Sequence, residues 1–191
     1  MVYFLVLLFS VLGLGGIAKA DSVQLAPTQK PMIAVSIAVP EERGQHIIAL
    51  STADPHIDVV IHNVSNQSLD FYAEDCSAGY DSLHLELLSI DDKALPKPII
   101  VERSVMVWER NRIRTVTLEP GDVMVREIHF SKDTTVGGIP YLNFPPMKAG
   151  DLHKIQMRAV FTVGVGQPRS KVWSGSIASK TDEYQVVQYS P

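Results

Sequence analysis

The run Ile155-Gln-Met-Arg-Ala-Val-Phe-Thr-Val163 decides the fold class of this chain. Side chains of an extended strand alternate between two faces, so every second residue points the same way. One face of the run carries only apolar residues, which are Ile155, Met157, Ala159, Phe161 and Val163. This pattern predicts a β-strand with one buried face.

Short apolar alternations of this kind recur along the chain and are separated by turn residues. Almost no stretch has the period of an amphipathic helix, and no helical crossover separates the segments. Together they predict an all-β fold, an antiparallel immunoglobulin-like β-sandwich of about seven to nine strands, with a barrel as the alternative. The candidate strand segments lie at 32–39, 47–50, 56–62, 69–73, 83–87, 99–108, 113–118, 123–130, 155–163 and 172–177, and 184–187 could extend the last strand or pair with it again.

Three local signals add detail to this prediction. The quartet Glu119-Pro-Gly-Asp122 suits a type II turn, because proline presets φ and glycine accepts a positive φ. The apolar alternation of 123–130 slips near Arg126-Glu127, which predicts a β-bulge. Trp173 is expected to point inward from the last strands. Asn63-Val-Ser65 and Asn66-Gln-Ser68 match glycosylation sequons, but a polar turn explains them equally well.

The N-terminus predicts an exported protein. Residues 3–14 are apolar apart from Ser10 and Gly13, and Ala18-Lys-Ala20 places small residues where a signal peptidase cleaves. We therefore expect a signal peptide at 1–20, a flexible segment at 21–30 and one β-sandwich domain at 31–191, located in the periplasm or secreted. A membrane anchor is the alternative, although the apolar run is shorter than the about 20 residues that a spanning helix needs.

Composition excludes several classes of protein. The chain has 191 residues, a net charge of −4 and a single cysteine. Its acidity gives no reason to expect nucleic-acid binding, and one cysteine cannot form an intrachain disulfide. No Gly-x-Ser-x-Gly elbow, His-Glu-x-x-His motif or phosphate-binding loop occurs, so we expect neither catalysis nor a cofactor.

Two turn motifs resemble those of known families. They are Val60-Ile-His-Asn63-Val-Ser65 leading to Phe71, and Leu118-Glu-Pro-Gly-Asp122 before a new strand. Both are similar to the bacterial intracellular proteinase inhibitor family and to exported bacterial immunoglobulin-like domains. The resemblance covers about 57–187 and implies a small non-catalytic β-sandwich, without assigning an inhibitory residue.

The connection at 137–150 is the first candidate contact surface, because a long loop in a small domain is often functional. Prolines stiffen it, and its apolar side chains are of the kind found in interfaces. The alternative is that the loop folds over the open end of the core. The candidate residues for binding a protein partner are Ile139, Tyr141, Leu142, Phe144 and Met147.

A second candidate is the alternating set Arg110, Arg112 and Arg114, which could meet an anionic ligand or simply pair with acidic residues of a neighbouring strand.

Histidines and Cys76 raise a third hypothesis, metal binding. His56, Asp58 and His62 share one predicted strand face, which His84 and Glu86 could meet from another strand. His56 and His62 lie about 20 Å apart along an extended strand, so they cannot share an ion, and we assign no metal site. Cys76 is expected to be a small buried residue at the end of a strand.

The sequence thus favours an exported, non-catalytic domain that binds a protein through 137–150. A secreted protease inhibitor and a periplasmic metal-binding protein are the alternatives, and the oligomeric state stays open.

Overall fold

The computed structural model of the protein describes residues 32–39, 47–50, 56–108, 111–131, 139–140, 144–164 and 172–188, all within the compact unit Pro31–Pro191. The predicted signal peptide and the segment 21–30 lie outside the described residues. Twelve strands and one helical turn occur in the described part. The elements are β1 (Ile33–Ala38), β2 (Ile47–Leu50), β3 (His56–Asn63), β4 (Leu69–Tyr72), α1 (Ser77–Tyr80), β5 (Leu83–Ile90), β6 (Lys93–Val101), β7 (Thr115–Leu118), β8 (Val123–Ser131), β9 (Ile139–Pro140), β10 (Leu152–Val163), β11 (Gly175–Ala178) and β12 (Asp182–Gln188).

Strand β10, which contains the decisive run, lies at the centre of the larger sheet. This sheet has the order β2-β12-β10-β5-β6. β10 is antiparallel to β5 on one side and to β12 and β11 on the other. It is the longest strand, at 12 residues, so it can hold two shorter strands in succession along one edge.

The second sheet has the order β1-β3-β8-β9, and β4 pairs with β7 as a separate antiparallel ribbon. All pairings are antiparallel except β12 with β2 and β8 with β9. One hydrophobic cluster joins the buried faces of all three sheets. The all-β sandwich is therefore confirmed, and the described strands form no barrel. Twelve strands exceed the seven to nine expected, partly because β9 and β11 are very short.

Aromatic side chains fill the middle of the core. Phe161 stacks on Trp173 with ring centroids 5.8 Å apart, and Phe71 packs against both rings. Trp173 is half-buried and packs against the core, in agreement with its predicted inward orientation. Phe130 meets Phe144 edge-on at 5.5 Å.

The predicted bulge near Arg126-Glu127 is wrong. β3 and β8 pair in continuous register from His56–His129 to His62–Val123. The alternation slipped because Arg126, a charged residue, occupies an inward position and is buried. Among the described strands, the register shifts lie instead in β5, where the ladders to β6 and β10 both skip Leu88.

The strand predicted at 99–108 is also displaced. β6 begins at Lys93, and its regular pairing ends at Val101. Pro96 and Pro98 lie between paired residues at the shift in register, where their missing N–H groups cost no ladder bond. Proline is tolerated at such positions in edge strands, although it hides the strand from a sequence pattern.

The polar turns behave as the sequence indicated. Gly121 has φ of 88°, and Asp122 N donates to the Glu119 carbonyl at 2.9 Å. Asn63 is buried, and its amide nitrogen donates to the Leu118 carbonyl at 2.9 Å. The Asn63 side chain thus holds the turn in place and is enclosed by it. No helix among the described residues is long and apolar enough to cross a membrane.

A charged pair fixes the hairpin between β5 and β6 onto β10. His153 Nδ1 lies 2.8 Å from Asp91 Oδ2, and Lys154 N donates to Asp91 Oδ1 at 3.1 Å. The hydrogen bond to Asp91 is the main cause that raises the pKa of His153, and the same bond lowers the pKa of Asp91. Asp91 has a positive φ of 48°, which asparagine also accepts.

We predict that Asp91→Asn lowers the pKa of His153 toward its ordinary value, measured by NMR titration of the imidazole. Because the pKa of His153 is raised in the folded state, its protonation stabilises the fold fully below about pH 6.5. That stabilisation is lost as the pH rises through the folded-state pKa. Asp92→Asn at the neighbouring turn position serves as the control. Equal His153 titrations in the two variants would contradict the pairing.

Candidate partner-binding surface

The segment that follows β6 exposes apolar side chains to solvent. We call residues 104–108 the contact strip. Val105 is 89% exposed and Val107 is 88% exposed. Met106 and Trp108 alternate with them and are half-buried toward the domain. Neighbouring exposed apolar side chains are a feature that interaction surfaces share.

The middle of the strip differs from Ser104, whose carbonyl accepts a hydrogen bond from the Tyr80 hydroxyl. Within the described part of the chain, no backbone hydrogen bond is made by Val105, Met106 or Val107. An extended segment with open N–H and C=O groups can pair with another strand.

Tyr80 holds the contact strip in place from below. Its hydroxyl donates to the Ser104 carbonyl at 3.1 Å, and its ring meets the Trp108 ring edge-on at 5.9 Å. The Arg103 guanidinium lies over the Tyr80 ring, 3.7 Å from the ring centroid. Both ends of the strip therefore rest on one buried aromatic ring.

The helical turn α1 positions Tyr80 because it packs tightly onto the chain after β4. A Cβ at Gly79 would clash with the Ala73 carbonyl, so only glycine fits there. Cys76, just before α1, is buried, and its thiol donates to the same Ala73 carbonyl at 3.0 Å. The expectation that Cys76 is a small buried residue is confirmed.

Two buried arginines share one carboxylate behind the strip. Glu74 Oε1 lies 2.7 Å from Arg103 Nη1, and Glu74 Oε2 lies 3.0 Å from Arg126 Nη1. Arg126 also donates from Nη2 to the Tyr72 carbonyl at 2.9 Å. Burial is the main cause that lowers the pKa of Arg126, and the Glu74 carboxylate opposes that shift. The cluster ties β8, the segment after β4 and the segment after β6 together.

A groove of about 360 Å³ lies beside the strip. Its walls include Tyr80, His84, Arg103, Met106 and Trp108. The groove therefore has both apolar and polar walls and lies next to the exposed valines.

The described contact candidates of the 137–150 loop are buried or half-buried, unlike the exposed valines of the strip. Ile139 and Phe144 are buried in the hydrophobic core, and Met147 packs against it half-buried. Tyr141 and Leu142 lie outside the described residues. The described part of the loop thus has the position expected for a cover over the core.

The two described residues of the arginine set lie in the segment before β7. Arg112 and Arg114 precede β7 and are both exposed, and Arg114 Nη2 lies 3.0 Å from Asp75 Oδ2. Arg110 lies outside the described residues. The structure brings Arg114 to an acidic partner, which is the alternative that the sequence left open for this residue.

The predicted metal-ligand candidates are divided between the two sheets. His56, Asp58 and His62 lie on β3, whereas His84 and Glu86 lie on β5 of the other sheet. His56 instead faces His129 of β8, 5.6 Å away between ring centroids. The pairing of β3 with β8 could not be deduced from either segment alone.

Sequence reasoning placed the contact strip inside a predicted strand and missed its exposure. The alternation of Val105 and Val107 was a visible signal. A periodic pattern cannot tell which face is buried when both faces are apolar, as they are here with Met106 and Trp108.

Comparisons with known proteins give no family. No protein-family model and no curated protein matches the chain. Two solved structures of a beta-glucosidase from Listeria innocua, in complex with isofagomine and with glucose, align with TM-scores of 0.34 and 0.33 at 11% and 13% identity. A b-glucosidase from Erythrobacter marinus aligns with a TM-score of 0.31 at 17% identity. The alignments cover 81–84% of this chain and only 16–17% of those chains.

We predict that Glu74→Gln destabilises the protein by about 3 kcal/mol, because it leaves two buried guanidinium groups without their counter-charge. Urea unfolding measures the loss. The matched control is Glu183→Gln, which removes a surface carboxylate 3.3 Å from Lys154 and should change the stability little, because solvent screens this pair. Similar losses of unfolding free energy in both variants would contradict a stabilising role of the Glu74–arginine cluster.

Proposed function

We propose that this protein is an exported, non-catalytic binding domain that holds an extended segment of a partner protein against the contact strip. The exposure of Val105 and Val107 above a rigid Tyr80 platform carries the proposal. The signal-like residues 1–20 support export.

Strand addition is the binding mode that fits this surface. A partner segment would pair its main chain with Val105–Val107 and cover the two valines with its own apolar side chains. Main-chain hydrogen bonds give affinity in this mode, and the adjoining groove at Met106 and Trp108 selects the side chain that enters it.

The 137–150 loop has a secondary part in this proposal. Burial of Ile139 and Phe144 assigns them to the core of the domain. Tyr141 and Leu142 are the residues of the loop that we retain as candidate contacts.

Site-specific photo-crosslinking tests the proposal in the producing cells. A benzoylphenylalanine residue replaces Val107 in one variant and Val125 in the other. Val125 is the matched control because it is a strand valine, 52% exposed, on the outer face of β8. We expect one discrete protein adduct from position 107 and none from position 125.

Val105→Asp with Val107→Asp should remove a cross-link formed from a third position, Met106, while the melting temperature stays within a few degrees. No adduct from position 107, or the same adducts from position 125, would overturn the proposal.

A protease inhibitor is the second candidate, supported by the same strip. Proteases bind their substrates as extended strands, and Tyr80 fixes the strip at Ser104 and at Trp108. Assay of the purified chain against serine, cysteine and metalloproteases at micromolar excess tests this candidate. We expect inhibition to disappear in the Val105→Asp, Val107→Asp variant, and no inhibition of any protease would exclude it.

A further inference from the structure

Pairing of β3 with β8 brings four metal-ligand side chains together on the outer face of the smaller sheet. His56 lies directly opposite His129, and Asp58 lies directly opposite Glu127. Their chain neighbours Ile57 and Ile128 are buried on the other face, so these four side chains point away from the core. Residues that oppose each other in a ladder have Cβ atoms about 4.5–5.5 Å apart, which sets the size of the cluster.

Three of these side chains converge at the spacing of a metal centre. Glu127 Oε1 lies 3.6 Å from His56 Nε2 and 3.5 Å from His129 Nε2. One ligand atom from each of the three residues lies within 4.8 Å of the other two. Ligand atoms bound tetrahedrally to zinc at about 2.0–2.1 Å lie about 3.3–3.4 Å from each other. The two carboxylate–imidazole separations, 3.6 and 3.5 Å, are close to this spacing.

Glu127 Oε1 lies at ion-pair distance from both imidazole nitrogens, a spacing that a shared cation also produces. Separations of 3.5–3.6 Å between nitrogen and oxygen are longer than an ordinary hydrogen bond. The three groups are about one-third to one-half exposed, so an ion could reach them from solvent. Two imidazoles and a carboxylate suit a divalent ion of the zinc type better than calcium or magnesium, which prefer oxygen ligands.

We infer that His56, His129 and Glu127 form a binding site for one zinc-type divalent ion. The site lies on the sheet surface and leaves a fourth position for water or another ligand. Asp58 adds a second negative charge beside Glu127. Because the ligands come from both β3 and β8, a bound ion clamps these strands together at the end where β3 begins.

Calorimetric titration of Zn²⁺ into the metal-free full chain, prepared without a polyhistidine tag, tests the site. We expect one equivalent to bind and the melting temperature to rise with zinc concentration, since the ion binds the folded state. His56→Gln and Glu127→Gln should each weaken binding. His56→Gln should do so by more than about 100-fold, since changing even a residue that only supports a metal ligand costs about 10–100-fold.

His84→Gln is the matched control. His84 Nε2 also lies near a carboxylate, 3.8 Å from Glu86 Oε1, but on the other sheet and without a second histidine within the described residues. Its binding should equal that of the unchanged chain. Glu127 is exposed, so Glu127→Gln should fold normally. Circular dichroism checks this. No uptake at tenfold excess of zinc, or uptake undiminished in both ligand variants, would overturn the inference.

Discussion

The central position of β10 is the constraint on which the rest of the fold depends. Its alternating apolar face lies in the core, and its two edges hold β5, β12 and β11. A shift of one residue in this strand would move every core side chain to the wrong face. The neighbouring strands, the Phe161–Trp173 stack and the hairpin closed by His153 and Asp91 therefore all take their positions from the register of β10.

Much of the fold could be predicted because strand burial follows local alternation. The decisive run, the turn at Gly121 and the inward position of Trp173 each depend on a few neighbouring residues. Arg126 could not be placed in this way. An arginine in an apolar series indicates a break in the pattern, yet its charge is satisfied by Glu74, 52 positions earlier, which no local pattern contains. The same limit hid the pairing of His56 with His129, which are joined only by strand register.

The contact strip combines buried side chains that hold it in place with exposed valines on its outer face. Tyr80, Glu74 and the two arginines form a largely buried polar cluster, in which removal of Glu74 leaves both arginines without their counter-charge. Such a cluster fixes the geometry of the strip without covering it. The sequence indicated contact residues in the 137–150 loop because that loop is long and rich in proline. Burial of Phe144 follows from its edge-on contact with Phe130, a tertiary partner that the loop sequence does not reveal.

The prolines of β6 have a consequence for how this domain can assemble. Pro96 and Pro98 offer no N–H group, so the outer edge of β6 is a poor template for an incoming strand. Sheets that recruit strands on both edges can grow into fibres. Under the strand-addition proposal, a partner strand pairs past Val101, at Val105–Val107. The proline pair therefore disfavours edge-to-edge pairing of β6 with the sheet of another molecule.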